Sequence, residues 1–475
     1  MKVALWWIRR DLRLSDNEAL SRALTQAEWV IPVFILDPAL TRSRFVGEKR
    51  LAFLYAGLRQ LDADLKAFDS RLIVRRGEPV EVFRRLFQED GAEVIFAEED
   101  YSPYASQRDA RVKKDFPLHF YGRPTLCHPL TVRKADGEPY TIFTPYRRAW
   151  EAQALPVESD LLHRLETIRT PTDIESEDIP FKPALSSTSP FPPGEGEAQN
   201  RLHIFVDGEK APICRYADQR DRMDLEGTSQ LSPYLRFGML SARQAVVAVN
   251  KAIKDARRGE DRRGALKWLD ELLWREFYHS ILFNFPFVRK MSFRETLRDI
   301  RWTNDEGHFK AWCTGQTGYP IVDAAMRQLQ QTGWMHNRAR MIAASFLVKN
   351  LLIDWRWGEQ WFMQNLLDGE PAANNGGWQW SAGTGADAAP YFRIFNPILQ
   401  GKKYDPDGYY VRRWVPELSS VPDQYIHNPW KLPPASQETA SCIIGKDYPQ
   451  PIIDHRFARE RALEQFRAAK QKAGG

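Results

Sequence analysis

The sequence predicts an N-terminal α/β domain, built on a doubly wound parallel sheet, joined by a long connector to an all-α domain. Three observations carry this reading. Over roughly the first 125 residues, short β-branched or aromatic runs alternate with longer amphipathic ones; composition then shifts to Pro, Ser, Glu and Thr; beyond Arg201, strand signals nearly vanish and helical periodicity takes over. The expected boundaries are 1–130 for the α/β domain, 131–200 for the connector and 201–475 for the helical domain. A chain of 475 residues is too long for one ordinary core, which also argues for two folded units.

In the first part, Val3–Trp7, Trp29–Leu36, Leu72–Arg75, Glu93–Ala97 and Leu118–Tyr121 read as strands. Between them, Asn17–Thr25, Glu48–Phe68, Pro79–Glu89 and Ser106–Lys114 carry apolar residues at helical spacing, and Pro79 suits a first turn, where its missing N–H costs nothing. Strand and helix in repetition imply parallel strands. No G-x-G-x-x-G follows the first strand, which excludes a standard dinucleotide domain. From Pro156 to Gln199 periodic apolar content is low, as expected of a connector running over the surface. Farther on, Leu266–Phe283, Ile321–Gln331, Arg338–Leu352 and Glu359–Leu367 show helical periodicity. Asn374-Asn375-Gly376-Gly377 is a turn by composition, set between tryptophan-bearing helical stretches where its amides need partners.

Composition narrows the function classes. With 43% hydrophobic and 27% charged residues the chain can bury a sizeable core, and no segment nears the run of about 18 apolar residues that a membrane span requires. The apolar start, Met1–Trp7, runs into Arg9, Arg10, Asp11 and Arg13, which cuts off a signal-peptide core, so a cytoplasmic location is expected. Four scattered cysteines and nine dispersed histidines give neither a disulfide framework nor a metal site. A net charge of +5 fits a nucleic-acid partner without requiring one. Twelve of the sixteen tryptophans lie from Trp268 to Trp430, which suits either a large aromatic core or rings that stack on bases and flavins and relay electrons.

One helical stretch is dense in chemistry. Glu271, Trp274, Arg275 and Tyr278 share a face at i, i+3, i+4 and i+7. Glu271 with Arg275 makes a correctly oriented ion pair worth about 0.2–0.5 kcal/mol, and Trp274 with Tyr278 fits a core. The same face also joins an acceptor, an aromatic plate and a guanidinium, a set suited to holding a nucleobase. Spacing leaves both readings open.

Several long motifs extend the picture: Trp7–Asn17, Glu226–Pro233, Glu271–Phe277, Thr317–Met326, Trp334–Met341, Asn374–Trp380 and Phe392–Pro397. Through them the chain resembles the photolyase/cryptochrome family from end to end, and in particular the class I photolyases that act on cyclobutane pyrimidine dimers. The resemblance implies a lyase that repairs such dimers in DNA with light, by electron transfer from excited FADH⁻ to a dimer flipped out of the stack. A cryptochrome-type blue-light photoreceptor is the alternative. FAD would be bound in a U shape in the helical domain, with Tyr216, Thr228, Ser229, Gln230, Leu231 and Ser232 around its phosphates and ribitol. Asp368, Gly369 and Glu370 would edge its rings, with Arg275 and Arg340 nearby; many relatives have Asp where Glu370 stands. Asn374 would face flavin N5, where plant cryptochromes place Asp and animal ones Cys. Trp378, Trp355 and Trp302 match the family's electron-relaying tryptophans.

By the same resemblance, Glu271 hydrogen-bonds the dimer, Trp274 and Trp380 form an apolar wall, and Asn337 and Met341 line the thymine side. Relatives that repair (6-4) photoproducts carry histidines around 337–341. Arg220, Arg275, Arg338 and Gln400 are further candidates for DNA contact. A second, light-harvesting chromophore is expected. Arg10, Asp37 and Asp100 resemble positions used by deazaflavin-type members, whereas folate-type members carry Glu where Gln107 stands. This favours 8-hydroxy-5-deazaflavin over folate, with FMN also open. The expected partner is dimer-containing DNA, with no membrane, no obligatory protein partner and a monomeric state.

Overall fold

Five strands form one parallel sheet: β1 (Val3–Ile8), β2 (Trp29–Leu36), β3 (Ile73–Arg76), β4 (Val94–Ala97) and β5 (Leu118–Phe120), in the order β3-β2-β1-β4-β5. The computed structural model describes residues 1–162, 167–208 and 210–474. Positions 163–166 of the expected connector, and 209 and 475 of the expected helical domain, lie outside them. Central β1 pairs with β2 from Val3↔Trp29 to Ile8↔Phe34 and with β4 from Ala4↔Val94 to Trp6↔Phe96. A strand covered on both faces needs consecutive apolar residues, and Ala4 to Ile8 are all buried. The chain returns between strands through α1 (Glu18–Gln26), α2 (Glu48–Lys66), α3 (Pro79–Glu89) and α4 (Pro103–Asp115). Asn17 caps α1 by accepting from Leu20 N, and Pro79 opens α3 behind the Glu78 cap. Every strand and helix expected here is present; α4 begins earlier than its apolar period suggests because Ser102 caps it from Ala105 N.

Two compact units result, and neither expected boundary coincides with them. The first comprises residues 1–217, 228–286 and 367–372; the second comprises 218–227, 287–366 and 373–475. In the first unit the sheet is joined by α5 (Phe143–Glu151), α6 (Glu195–Val206), α7 (Ala242–Asp255) and the long α8 (Gly259–Asn284). Helix α5 falls inside the expected connector. Its buried residues Phe143, Tyr146 and Trp150 have the i, i+3, i+7 spacing of an apolar face, and they pack toward α8. From 167 to 194 the chain has no helix or strand.

The second unit holds α9 (Pro320–Thr332), α10 (Asn337–Ser345), α11 (Trp355–Asn365), α12 (Pro371–Ala382, from Ala373 on), α13 (Pro397–Tyr404) and α14 (His455–Gly474). Two expectations need correction. The helix expected to run from Arg338 to Leu352 stops at Ser345 and gives way to a π-helical turn, Phe346–Asn350, which buries Lys349 with its Nζ donating to Ala382 O (2.7 Å). The turn expected at Asn374–Gly377 is helix, part of α12. Each helical glycine costs about 1 kcal/mol relative to alanine. The amides offset this: Asn375 Nδ2 and Gln379 Nε2 both donate to Val288 O, at 3.1 and 2.9 Å, and Asn374 Nδ2 donates to Glu359 O at 3.0 Å. Among the described residues no helix is long and apolar enough to cross a membrane.

Candidate active site

Helix α8 carries Glu271, Trp274 and Arg275 in its second half. The Glu271–Arg275 ion pair is not formed. Arg275 instead donates to the carbonyls of Pro124 and Leu235, so its guanidinium orders the backbone there. Next to it, the Glu276 carboxylate accepts from Leu126 N (2.6 Å) and Cys127 N (3.1 Å). The indole of Trp274 lies flat on Phe143, with centroids 3.7 Å apart and planes 5° apart, and is tilted against Tyr278 at 5.5 Å.

The loop Thr228–Ser232 also belongs to the first unit. Gln230 is left-handed (φ 51°) and Leu231 right-handed (φ −87°, ψ −4°). Consecutive residues of opposite hand turn successive N–H groups toward one point, a concavity that takes phosphate oxygens. A non-glycine residue at positive φ costs on the order of 1 kcal/mol or more, so the packing around the loop imposes it. Ser229 Oγ accepts from Trp268 Nε1 (3.3 Å), and Tyr216 is buried edge-on to Phe205. These donors fit the pyrophosphate of FAD.

Around Asp368–Glu370 the first unit gathers charge. Gly369 O accepts from Arg50 Nη1 (3.1 Å) and Arg236 Nε (2.8 Å). The Glu370 carboxylate accepts from Ala372 N (2.7 Å), meets Arg10 Nη1 at 3.3 Å and lies 3.6 Å from His279 Nε2. Burial pushes the Glu370 pKa up, but His279 and the arginines at 10, 236 and 275 outweigh it and hold the group at about 2. Burial takes His279 down to about 3, so that ring is neutral at pH 7 and the arginines are what keep Glu370 ionised there. Glu370 is thus engaged by protein groups and holds the loop that leads into α12.

In the second unit, the bond from Asn374 Nδ2 to Glu359 O turns Oδ1 the other way, free to accept. Trp378 and Trp355 are buried and Trp302 partly so. Trp378 meets Trp312 and Phe362 edge-on, at 6.0 and 4.9 Å, and Trp302 meets Phe466 at 6.0 Å. Helix α10 brings Asn337 and Met341 together, Nδ2 to Sδ at 3.9 Å, while Arg340 Nε donates to Met335 O. Trp380 is partly buried on the same core as Met341. Arg338, expected at DNA, is buried instead, paired to Asp221 at 2.8 Å and lying over Tyr404 at 4.4 Å. Arg220 lies 3.8 Å from Asp221, and Gln400 sits on α13 with the exposed Lys402 and Lys403.

The three residues assigned to a second chromophore share one edge of the sheet. Arg10, Asp37 and Asp100 follow the carboxyl ends of β1, β2 and β4, and strand order reverses between β1 and β4, where open α/β sheets bind ligands. Arg10 and Asp100 pair at 3.4 Å; Asp37 caps Ala39 N and accepts from Tyr104. Arg9 and Arg108 flank the Trp7 indole at 4.7 and 4.6 Å; Arg108 pairs with Asp109 at 2.8 Å, whereas buried guanidinium nitrogens of Arg9 and Arg10 have no hydrogen-bond partner.

Comparison with known proteins agrees with this geometry. Residues 4–168 match the DNA photolyase model and residues 268–468 the model for the FAD binding domain of DNA photolyase. A deoxyribodipyrimidine photo-lyase of Agrobacterium fabrum is 39% identical over 98% of both chains. The chain belongs to the DNA photolyase family. Among solved structures of the family, a class III photolyase from Agrobacterium tumefaciens superposes with a TM-score of 0.92 at 38% identity, covering 99% of this chain and 98% of that one. A Synechocystis cryptochrome gives 0.87 at 29% identity, covering 98% and 99%. The motifs that resemble class I enzymes are therefore set in a fold that a class III member matches closely.

Sequence reasoning missed Phe143, Arg50, Arg236, His279 and Trp312. Arg50 and Arg236 show no periodic or motif signal for meeting at Gly369 O, since three distant segments supply that contact. For Phe143 a signal existed in the apolar spacing of residues 143, 146 and 150.

Proposed function

We infer that this protein is a DNA photolyase that repairs cyclobutane pyrimidine dimers with light, using FAD. The observation that carries the reading is full-length similarity, at 36–39% identity, to curated deoxyribodipyrimidine photo-lyases from bacteria and an archaeon. When bound in its reduced form, FAD supplies the photo-excited electron. The residues of the chain bind, orient and exclude water. The Thr228–Ser232 loop would hold the pyrophosphate, and the Asp368–Glu370 loop would stand at the rings, fixed from behind by Arg50 and Arg236. Asn374, with its NH₂ held by Glu359 O, would present Oδ1 as an uncharged acceptor to flavin N5–H. Glu271 would accept from the dimer, Trp274 and Trp380 would form its apolar wall, and Asn337 with Met341 would line the thymine side.

A second chromophore is assigned to the carboxyl edge of the sheet, 8-hydroxy-5-deazaflavin being the species that Arg10, Asp37 and Asp100 favour. The partnerless guanidinium nitrogens there suit an acidic, planar ring system. Reconstitution with 8-hydroxy-5-deazaflavin, read by its absorption band and by energy transfer to FAD, tests this; folate or FMN bound in its place would overturn it.

A repair assay on a thymine-dimer oligonucleotide tests the main reading. Restoration of thymines in light and none in the dark is the expected result. Absence of repair by FAD-loaded, reduced protein under light would favour the photoreceptor reading, to which the cryptochrome likeness lends support.

A further inference from the structure

We propose that Phe143 is a positioning residue for Trp274, and that the segment from Pro124 to Glu151 is the wall that fixes the substrate-facing side of α8. This rests on the reading of Trp274 as part of the dimer's apolar wall. Ring quadrupoles favour offset or edge-on pairs with centroids about 4.5–7 Å apart. The Phe143–Trp274 pair, nearly parallel at 3.7 Å, departs from that, so surrounding contacts must impose it. The segment supplies those contacts: Arg275 to Pro124 O, Glu276 to Leu126 N and Cys127 N, Arg133 Nη2 to Asn284 Oδ1 (2.9 Å), Arg147 Nη1 to Asp270 Oδ1 (2.9 Å), and Tyr146 on Phe277 (5.3 Å). They span residues 270 to 284 of α8, on the order of 20 Å of helix. Phe277 closes the stack edge-on, 5.9 Å from Phe143 and 5.7 Å from Trp274.

The consequence is selectivity. With one face covered by Phe143, Trp274 offers a ligand only its other face and its edges, in an orientation set before binding. Preorganisation of this kind removes the entropy cost of immobilising the side chain. A cyclobutane dimer is a bent, saturated body, and a fixed plate tells it from a flat base by shape. An indole free to swing would adapt to both.

The test is fluorescence anisotropy in the dark, with FAD-loaded protein and an oligonucleotide carrying one thymine dimer or none. Phe143→Met keeps an apolar, flexible side chain of somewhat smaller volume that cannot stack; Phe143→Tyr keeps the stack. Phe143→Met is expected to weaken dimer binding by about fivefold, the order expected for releasing one ordered side chain. It should leave undamaged-DNA affinity, FAD content and melting temperature in place, with Phe143→Tyr behaving as the parent. Where Phe143→Met loses FAD or stability, Phe143→Leu supplies the same comparison. Equal loss for damaged and undamaged DNA, or unchanged dimer affinity in Phe143→Met while Trp274→Ala loses it, would overturn the proposal. Unchanged dimer affinity in Trp274→Ala would instead sink the reading of Trp274 itself, and the proposal with it.

Discussion

Asn374 shows how one hydrogen bond sets the chemistry a residue can offer. Its NH₂ is taken by Glu359 O, so the oxygen is what remains to face a partner. Reduced FAD is an anion, and a carboxylate about 4 Å from it would be repelled by roughly 4 kcal/mol at an effective dielectric near 20. Asn374→Asp is therefore expected to bind FAD but to reduce it less completely under light and to lose the reduced form faster in air. Anaerobic spectra followed by air exposure check this, and a variant that keeps reduced FAD like the parent would contradict it. A second residue reports on pH. His427 is buried with Nε2 on Asp405 O (2.7 Å), and burial lowers its pKa to about 4. Between pH 6.5 and 4 the unfolded ring takes up a proton that the folded ring refuses, so acidification costs stability. In urea titrations the parent's advantage over His427→Gln should shrink by about 1.4 kcal/mol for each pH unit across that window. A difference that does not change with pH would mean that the ring titrates normally.

Helices α11 and α12 are locked at one small residue. A Cβ on Gly358 would lie 2.1 Å from Trp378 Cη2 and 2.6 Å from Leu347 Cδ2, closer than any packed carbon tolerates. Gly358→Ala should cost about 1–3 kcal/mol, the usual range for overpacking a core. Displacement of Trp378 should also slow photoreduction of FAD; an unchanged melting temperature with normal photoreduction would show that the helices part at no cost. Such contacts mark the limit of what the sequence discloses. Strands β1, β2 and β4 were legible because each is a short apolar run bounded by polar residues, β3 and β5 because their β-branched or aromatic residues recur between helical segments, and α9 because its period is unbroken. The α12 glycines misled because composition reports a residue's intrinsic preference, whereas the Val288 carbonyl that satisfies Asn375 and Gln379 is supplied from far along the chain. The nest at Gln230 and Leu231 was equally silent, since backbone hand has no signature in a glutamine and a leucine. Glu271 with Arg275 failed for a related reason: helical spacing permits the pair, but two carbonyls compete for the guanidinium and win.

On the scale of the whole molecule, electrostatics decides how DNA is approached, and the net charge of +5 is too small to act as a uniform field. What matters is which cations are still available. Among the arginines, Arg275 is spent on carbonyls and Arg338 on Asp221 and Tyr404, the latter with its guanidinium buried. Lys402 and Lys403 are different: both are exposed in the last turn of α13, two and three residues beyond Gln400, and although Lys403 Nζ lies over the Tyr404 ring at 5.1 Å, neither is paired with a carboxylate in a salt bridge among the described residues. A cation that neutralises a duplex phosphate releases a counterion, and each such contact contributes a slope of about 0.9 to the fall of log affinity with log salt. The double variant Lys402→Ala with Lys403→Ala is accordingly expected to lower that slope by about 1.8, weakening damaged and undamaged duplexes alike. Arg338→Ala should leave the slope where it was, because its charge is already balanced within the fold. Dissociation constants measured between about 50 and 200 mM salt separate the two, a range over which phosphate contacts lose most of their strength. A slope that falls in Arg338→Ala and persists in the lysine double variant would place the DNA track on α10 rather than α13.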